Sequence, residues 1–373
     1  MKTIGEVCNI VGGGTPARSK PAYFEGTIPW ATIRDLKADW IETTEFSITE
    51  EAIKQSASNI LPAGTVVVAS RVGLGKVCRA RRATAINQDL RGFLPKDAMM
   101  LDRQYLFYWL RSVAHRIIAA GTGATVQGVT LPFLRSLNIP LPPLDEQLQI
   151  VAVLDRAFAD IATAATNAAK NLASVRELYE SEVNNFTGDV TAVGDLITVR
   201  TGKLDANAAV VGGEYPFFTC SRKISAINTY AFDCEAILLA GNNAVGDFNV
   251  KHYSGKFNAY QRTYVITINS TDVLAYRYLY IAMKNHLGRF KEQSVGSGTK
   301  FLKLGMIKGM KIPLPMLSEQ QCIVTKVDAL EVEAGRLEKL YSLKIQALAD
   351  LKRSLLQRAF SGDLMYVPEA LAA

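Results

Sequence analysis

Across 373 residues the chain holds three histidines and five cysteines, and neither set forms a motif. His115, His252 and His286 stand alone, with no H-E-x-x-H and no neighbouring cysteine pair, which removes the familiar zinc spacings. Cys8, Cys78, Cys220, Cys234 and Cys322 are odd in number and lack a C-x-x-C. They read as buried apolar thiols of a protein in a reducing cytoplasm, not as a disulfide framework or metal ligands. No apolar run reaches the roughly eighteen residues of a membrane span, and Glu6 interrupts the first ten residues, so neither a span nor a signal peptide is expected. A G-x-S-x-G elbow, a Walker A sequence, a Rossmann fingerprint and the Asn/Asp-Pro-Pro-Tyr of amino-methyltransferases are all missing. The stretches Gly12-Gly13-Gly14, Gly73-Leu74-Gly75 and Gly241–Gly246 read instead as turns, or as loops that approach a phosphate backbone. Every catalytic class fails together, so the chain is expected to bind without catalysing and to hold no cofactor or metal of its own.

What is present is a repeat. Ile139–Asp155, IPLPPLDEQLQIVAVLD, returns as Ile312–Asp328, IPLPMLSEQQCIVTKVD. Each copy opens a long helical pattern, closing on Phe186–Asp189 in one case and Phe360–Asp363 in the other. Fainter matches precede it: Ile4-Gly5-Glu6-Val7 with Val193-Gly194-Asp195-Leu196, Pro29-Trp30 with Pro216-Phe217, and Tyr105-Leu106 with Tyr278-Leu279. A repeat this widely spaced means a duplicated unit of domain plus helix, not a solenoid of short repeats. The globular parts diverge while the helices repeat, as expected if the helices share a job and the domains do not.

The expected boundaries are 1–144 and 190–317 for two globular domains, 145–189 and 318–364 for two helices, and 365–373 for a tail. The net charge of +7 divides unevenly among them. Residues 1–144 carry +6 and residues 190–317 carry +7, whereas 145–189 carry −5 and 318–373 carry −1. Two basic domains on a connector that is not basic suggest a two-part contact with a polyanion.

Ser318 reads as the N-cap of the second helix, with Gln321 completing a capping box. Apolar residues then recur at Ile323, Val327, Leu330, Ala334, Leu337, Tyr341, Leu348, Leu351 and Leu355, a heptad seam broken at Lys344. The first helix, from Asp145, offers Ile150, Leu154, Ala157, Ile161, Ala164, Ala168, Val175 and Leu178, broken at Asn171. Each pattern covers about 40 residues, or about 60 Å at 1.5 Å per residue. If the seams pair, chain order makes the helices antiparallel. The fold class is therefore α+β: two mixed α/β domains separated by two long antiparallel coiled-coil helices in a pseudo-two-fold repeat.

Candidate contact residues cluster at strand-to-loop junctions, where guanidinium and bare backbone N–H groups can meet phosphates and side-chain amides can meet base edges. In the first domain these are Trp30, Thr32 and Arg34; Arg71, Lys76, Arg79 and Arg81; Asn87, Gln88 and Arg91; and Thr125 and Gln127. In the second they are Ser221, Arg222 and Lys223; Asn242 and Asn243; Tyr260 and Arg262; and Thr299 and Lys300. A solvated loop is the alternative for each residue taken singly. As a set, different polar residues at matching places suit two different reading surfaces.

The doubled IPLP-x-L-x-EQ motif, the long helix after each copy and the two divergent domains resemble the specificity subunits of type I restriction–modification systems. That resemblance covers the whole chain and implies two target-recognition domains, each reading one half of a split site in double-stranded DNA. It implies helices that set the gap and dock two adenine-N6 methyltransferase subunits, to which restriction subunits bind. S-adenosylmethionine would sit on the methyltransferase, and this chain would carry no catalytic centre. Alternatives are the recognition chain of a two-component enzyme cutting on both sides of its site, a self-contained base-modifying enzyme, and a coiled-coil scaffold indifferent to DNA.

Overall fold

The computed structural model describes residues 1–123, 126–184 and 188–361. Thr125, Phe186, the Gly362-Asp363 end of the second helix motif and the tail 365–373 lie outside them. Chain contacts divide the molecule into two units, Met1–Ala168 with Leu343–Ala373, and Ala169–Ser342. Each unit joins one globular domain to parts of both long helices.

In the first unit the β-branched run Val66–Ala69 is buried at every position, which is how a central strand reads. It lies in a five-stranded sheet ordered Cys8–Gly12, Leu90–Pro95, Val66–Ala69, Val77–Ala80 and Trp40–Ile41. A four-stranded sheet, ordered Phe46–Ile48, Ile28–Ala31, Thr84–Ile86 and Asn59–Leu61, sits beside it. The helix Arg103–Ser112, capped by the Asp102 carboxylate on the N–H groups of Gln104 and Tyr105, buries Tyr105 to Leu110 in the main core. The second unit has a six-stranded sheet ordered Ile197–Thr201, Thr263–Ile268, Phe232–Ala240, Val250–Ala259, Tyr215–Phe218 and Ser225–Ile227. Its helix Tyr276–Gln293 buries Tyr278, Leu279 and Met283 against that sheet.

The repeated residues are hydrogen-bonding devices. Gln147 and Gln320 are both completely buried. The amide of Gln147 donates to the carbonyls of Met100 and Pro142, each at 2.9 Å, and its oxygen accepts from the Asp102 N–H at 3.0 Å. Gln320 does the same with Val273 (2.8 Å), Pro315 (3.0 Å) and the Ala275 N–H (2.9 Å). Tyr105 donates its hydroxyl to the Pro140 carbonyl at 3.0 Å, and Tyr278 donates to Pro313 at 2.7 Å. Ile139 pairs with Lys2, and Ile312 with Thr191, in matching short ladders. Asp155 accepts from Tyr108 and Gln104, while Asp328 accepts both Nε and Nη2 of Arg277.

The long helices run Leu144–Asn184 and Leu317–Ser361. Ser318 lies inside the second one. The box at its start is made by Glu319, whose carboxylate accepts the Met316 N–H at 3.1 Å, so the Ser318 cap and its Gln321 partner are corrected. In the second unit, Asn171 meets Tyr341 at 3.2 Å and Arg176 meets Glu338 at 2.7 Å, so one helix rises as the other descends. The seam departs from the heptad reading. Leu178 and Leu351 are exposed; Tyr179 and Leu172 take the inward side of one helix, Ile345, Leu356 and Ala359 that of the other. Lys344 is therefore outside the seam rather than a break in it, while exposed Asn171 sits at its edge and donates across it to Tyr341. In the first unit Phe158 displaces Ala157 as the buried residue and lies beneath the Lys352 ammonium at 4.9 Å.

Cys8 and Cys78 are buried, but Cys220 and Cys234 are half-buried and Cys322 is exposed, correcting the reading of all five as buried thiols. Burial pushes the Cys8 thiol up to about 12 and Cys78 to about 11.

Candidate DNA-recognition surfaces

In each unit a buried strand ends in a residue whose backbone is held by two neighbouring loops. In the first unit the Ser70 N–H donates to the Asp89 carbonyl at 2.8 Å, and its carbonyl accepts from Val129 at 2.9 Å. In the second, the Gly241 N–H donates to the Arg262 carbonyl at 2.9 Å, and its carbonyl accepts from Leu302 at 2.9 Å. The next residue then bridges the following loop: Arg71 to Gly128, and Asn242 to Phe301. That loop closes on itself in the same way, through Thr122 and Gly128 in one case and Val295 and Phe301 in the other. The two frames share their backbone register and differ in side chains. Arg71, Asp89 and Gln127 stand where Asn242, Arg262 and Lys300 stand.

The first frame is mixed in charge. Arg71, half-exposed, lies 3.8 Å from Asp89, and exposed Gln127 precedes its bridge partner. Val72 (φ 38°) holds a left-handed backbone that a β-branched residue rarely adopts, fixing the turn between Arg71 and exposed Lys76. Gln88 is exposed and bonded to the Thr15 hydroxyl. Thr32 caps the turn Ile33–Asp35, and exposed Arg34 pairs with both oxygens of Glu45 at 3.1 and 3.2 Å.

The second frame is more basic. Asn242 and Asn243 pair with Phe301 and Lys300 in a two-stranded ribbon, and the Arg262 guanidinium lies over Phe301 at 5.1 Å. The Asn243 carbonyl oxygen accepts from Val245 and Asp247, which orients its amide. Arg222, 71% exposed, holds Asp247 by one nitrogen at 2.7 and 2.8 Å, and that guanidinium keeps the Asp247 carboxyl below its usual range. Ser221 accepts the Lys223 N–H, and Thr299 is half-buried beside Lys300.

Several expected contacts are corrected. Trp30 is 1% exposed, its indole donating to the Gly14 carbonyl, so it is core. Asn87 is buried and spends its amide on Asp89, forming the turn and leaving no edge for adenine. Arg91 is half-buried and turns a guanidinium nitrogen onto the carbonyls of Gln88 and Leu90. Arg79 is packed between Trp40 and Phe107, at 4.0 and 4.3 Å, whereas Arg81 remains exposed beside Trp40 and Glu42. Tyr260 is half-buried with its backbone bonded to Phe218 and Thr263, and its register partner is Asn87, not Gln88. Gly13 is there because a Cβ would lie 2.0 Å from the Ile86 carbonyl; Gly75, at φ 84°, faces Ile118. Both serve packing within the chain. Asp89 and Gln261 were missed, although lining up residues 173 positions apart pairs them with Arg262 and Gln88.

Among the described residues no group of three or more His, Cys, Asp or Glu is placed to hold a metal, and no helix is long and apolar enough to cross a membrane. The fold is thus a pair of duplicated α/β domains with matched backbone frames, each built onto the paired helices. The family described as Type I restriction modification DNA specificity domain matches residues 1–171 and 188–342, and the chain belongs to it. It is similar to the Type I restriction enzyme EcoDI specificity subunit of Escherichia coli, 42% identical over 176 residues, 46% of this chain and 37% of that one. A second relative, the EcoR124I/EcoR124II specificity subunit of Escherichia coli, is 32% identical over 162 residues, 42% of this chain and 40% of its own. The matched region thus spans about two-fifths of these curated relatives. In fold the chain is similar to one from a type I R-M system complex (TM-score 0.78, 17% identity, 97% of each chain). It also resembles the HsdS subunit from Thermoanaerobacter tengcongensis (TM-score 0.61, 16% identity, 97% of this chain and 96% of that one).

Proposed function

We propose that the chain is the specificity subunit of a type I restriction–modification complex, reading a bipartite site in double-stranded DNA without a catalytic centre of its own. The observation that carries this reading is the pair of frames with one backbone register and different side chains. Two copies of a reader that shared their side chains would read one sequence twice; these would read two. Base edges meet the frame residues Arg71, Asn242, Lys300 and Arg262, while exposed cations such as Lys76, Arg81 and Lys223 hold phosphates and supply most of the affinity. The half-sites lie about one helical turn apart on one face of the duplex. The long helices dock two adenine-N6 methyltransferase subunits, which carry S-adenosylmethionine, and restriction subunits join that assembly.

The experiment is domain exchange. Replacing residues 1–138 with the equivalent part of a relative, then sequencing methylated genomic DNA by a single-molecule method, is expected to change one half-site and leave the other half and the spacer alone. Changes in both halves would overturn the modular reading. Inserting a heptad in either long helix is expected to alter the spacer only.

A further inference from the structure

The first unit holds a basic groove outside the recognition frame. It has a volume of about 460 Å³ and lies between the Leu36–Asp39 turn, the Gly75–Cys78 segment and residues Ala349–Leu356 of the second long helix. Lys37, Lys76, Arg111, Lys352 and Arg353 line it against a single carboxylate, Asp39. Asp39 is taken by Arg111 at 2.6 Å, and Arg353 is shared with Asp350 on its own helix at 3.2 Å. Among the described residues no carboxylate lies within ion-pair distance of Lys37, Lys76 or Lys352. Lys352 is half-buried, and burial together with the Arg111 guanidinium lowers its affinity for a proton.

The Phe158 ring beneath the Lys352 ammonium offsets part of the cost but brings no counter-charge to Lys37 or Lys76, so crowding cations in this way favours an anion joining them. The helix macrodipole does not explain it, since that effect acts over the last turn and Lys352 lies nine residues before Ser361. A larger groove in the second unit provides a contrast. Arg176 and Lys284 there face Glu180, Glu331 and Glu338, one carboxylate more than there are cations, so it calls for no anion. The basic groove is also continuous with Lys76, at the end of the loop that begins at Arg71.

We propose that this groove binds a phosphate of the DNA backbone, so that the second long helix contacts DNA through Lys352 and Arg353. The inference rests on the DNA-reading function above and adds a contact on the helix, apart from the recognition frames. A chain of phosphate contacts then leads from Lys76, beside the frame, to Lys352 and Arg353 on the helix, fixing the strand's approach to the frame without reading a base.

The test uses the full chain assembled with its methyltransferase subunits, comparing DNA affinity across salt concentrations for wild type, K352Q, R353Q and the double variant. Each lost phosphate contact should lower the slope of log affinity against log salt by about 0.9, which is roughly eightfold in affinity at 0.1 M salt. Specific and non-specific DNA should lose equally, the methylated sequence should not change, and K352R should keep the wild-type slope. An unchanged slope in an intact assembly overturns the proposal. So does an equal fall in R336Q, which removes a charge elsewhere on the same helix, because net charge would then be the cause. Loss of a methyltransferase subunit from the double variant, read by mass photometry, overturns it in favour of an acidic protein face. A wild-type assembly with no salt-dependent DNA binding instead brings down the parent reading, and is visible before any variant is made.

Discussion

Substituting Gln147 with alanine removes all three hydrogen bonds of a completely buried amide. The Asp102 N–H then has no partner in place of the glutamine oxygen, and the carbonyls of Met100 and Pro142 each lose a donor. A buried donor left unsatisfied costs about 1–3 kcal/mol, and carbonyls with a second lone pair cost towards the low end, giving roughly 3–5 kcal/mol in all. For a unit of this size that is about 10 °C in melting temperature, at roughly 2–4 °C per kcal/mol. Calorimetry and amide hydrogen exchange on the full chain measure it, with protection expected to fall first at 100–105 and 139–147. Gln320→Ala should do the same at 273–278 and 312–320, and the double variant should be additive within about 0.5 kcal/mol because the clamps share no partner. Gln147→Glu should not rescue, since an oxygen would face two carbonyls. A loss below about 1 kcal/mol, or unchanged protection in these segments, would refute the reasoning.

Tyr105→Phe, which removes only the bond to the Pro140 carbonyl, is expected to cost about 1 kcal/mol in denaturant titration, as is Tyr278→Phe at Pro313. Cys8 and Cys78 stay protonated in the folded state to about 12 and 11, above the usual thiol value of 9.0, so their contribution is complete below pH 9 and is lost as pH rises through the 9–12 window. Stability of the wild type should therefore decline over that window more than that of a Cys8→Ala, Cys78→Ala variant, and a thiol reagent at pH 8 should modify Cys322 well before either. Arg71→Ala and Asn242→Ala should each relax one half-site by about 1–3 kcal/mol per base pair read, seen as degenerate positions in one half of the methylated sequence.

The duplication and the helices were legible because both leave periodic or repeated marks. Gln147 and Gln320 stood out as identical residues, but nothing local tells a buried clamp from a solvated first helical turn. Residue preference favours Ser318 as the cap, whereas the turn is set by Glu319 reaching back to Met316. Trp30, Asn87, Arg79 and Arg91 have side chains suited to DNA and are spent inside the domain, because their strands and turns face inward. Composition at a junction cannot reveal that direction. The matched frames were hidden for another reason: their identity lies in backbone hydrogen bonds, which impose no side chain.

That same property has a consequence at the helix junctions. Among the described residues, the side-chain hydrogen bonds that Gln147, Tyr105, Gln320 and Tyr278 make at the junctions end on main-chain atoms. The helix-entry prolines that supply half of those atoms are the same in both copies, whereas the domain residues that supply the rest differ, Met100 against Val273 and Asp102 against Ala275. The glutamine of each helix thus grips a path of the domain's chain and is blind to the side chains at those positions. Such a socket lets the domain above it drift, or be replaced outright, while its seating stays the same, and a population of these proteins can acquire new specificities without rebuilding the joint.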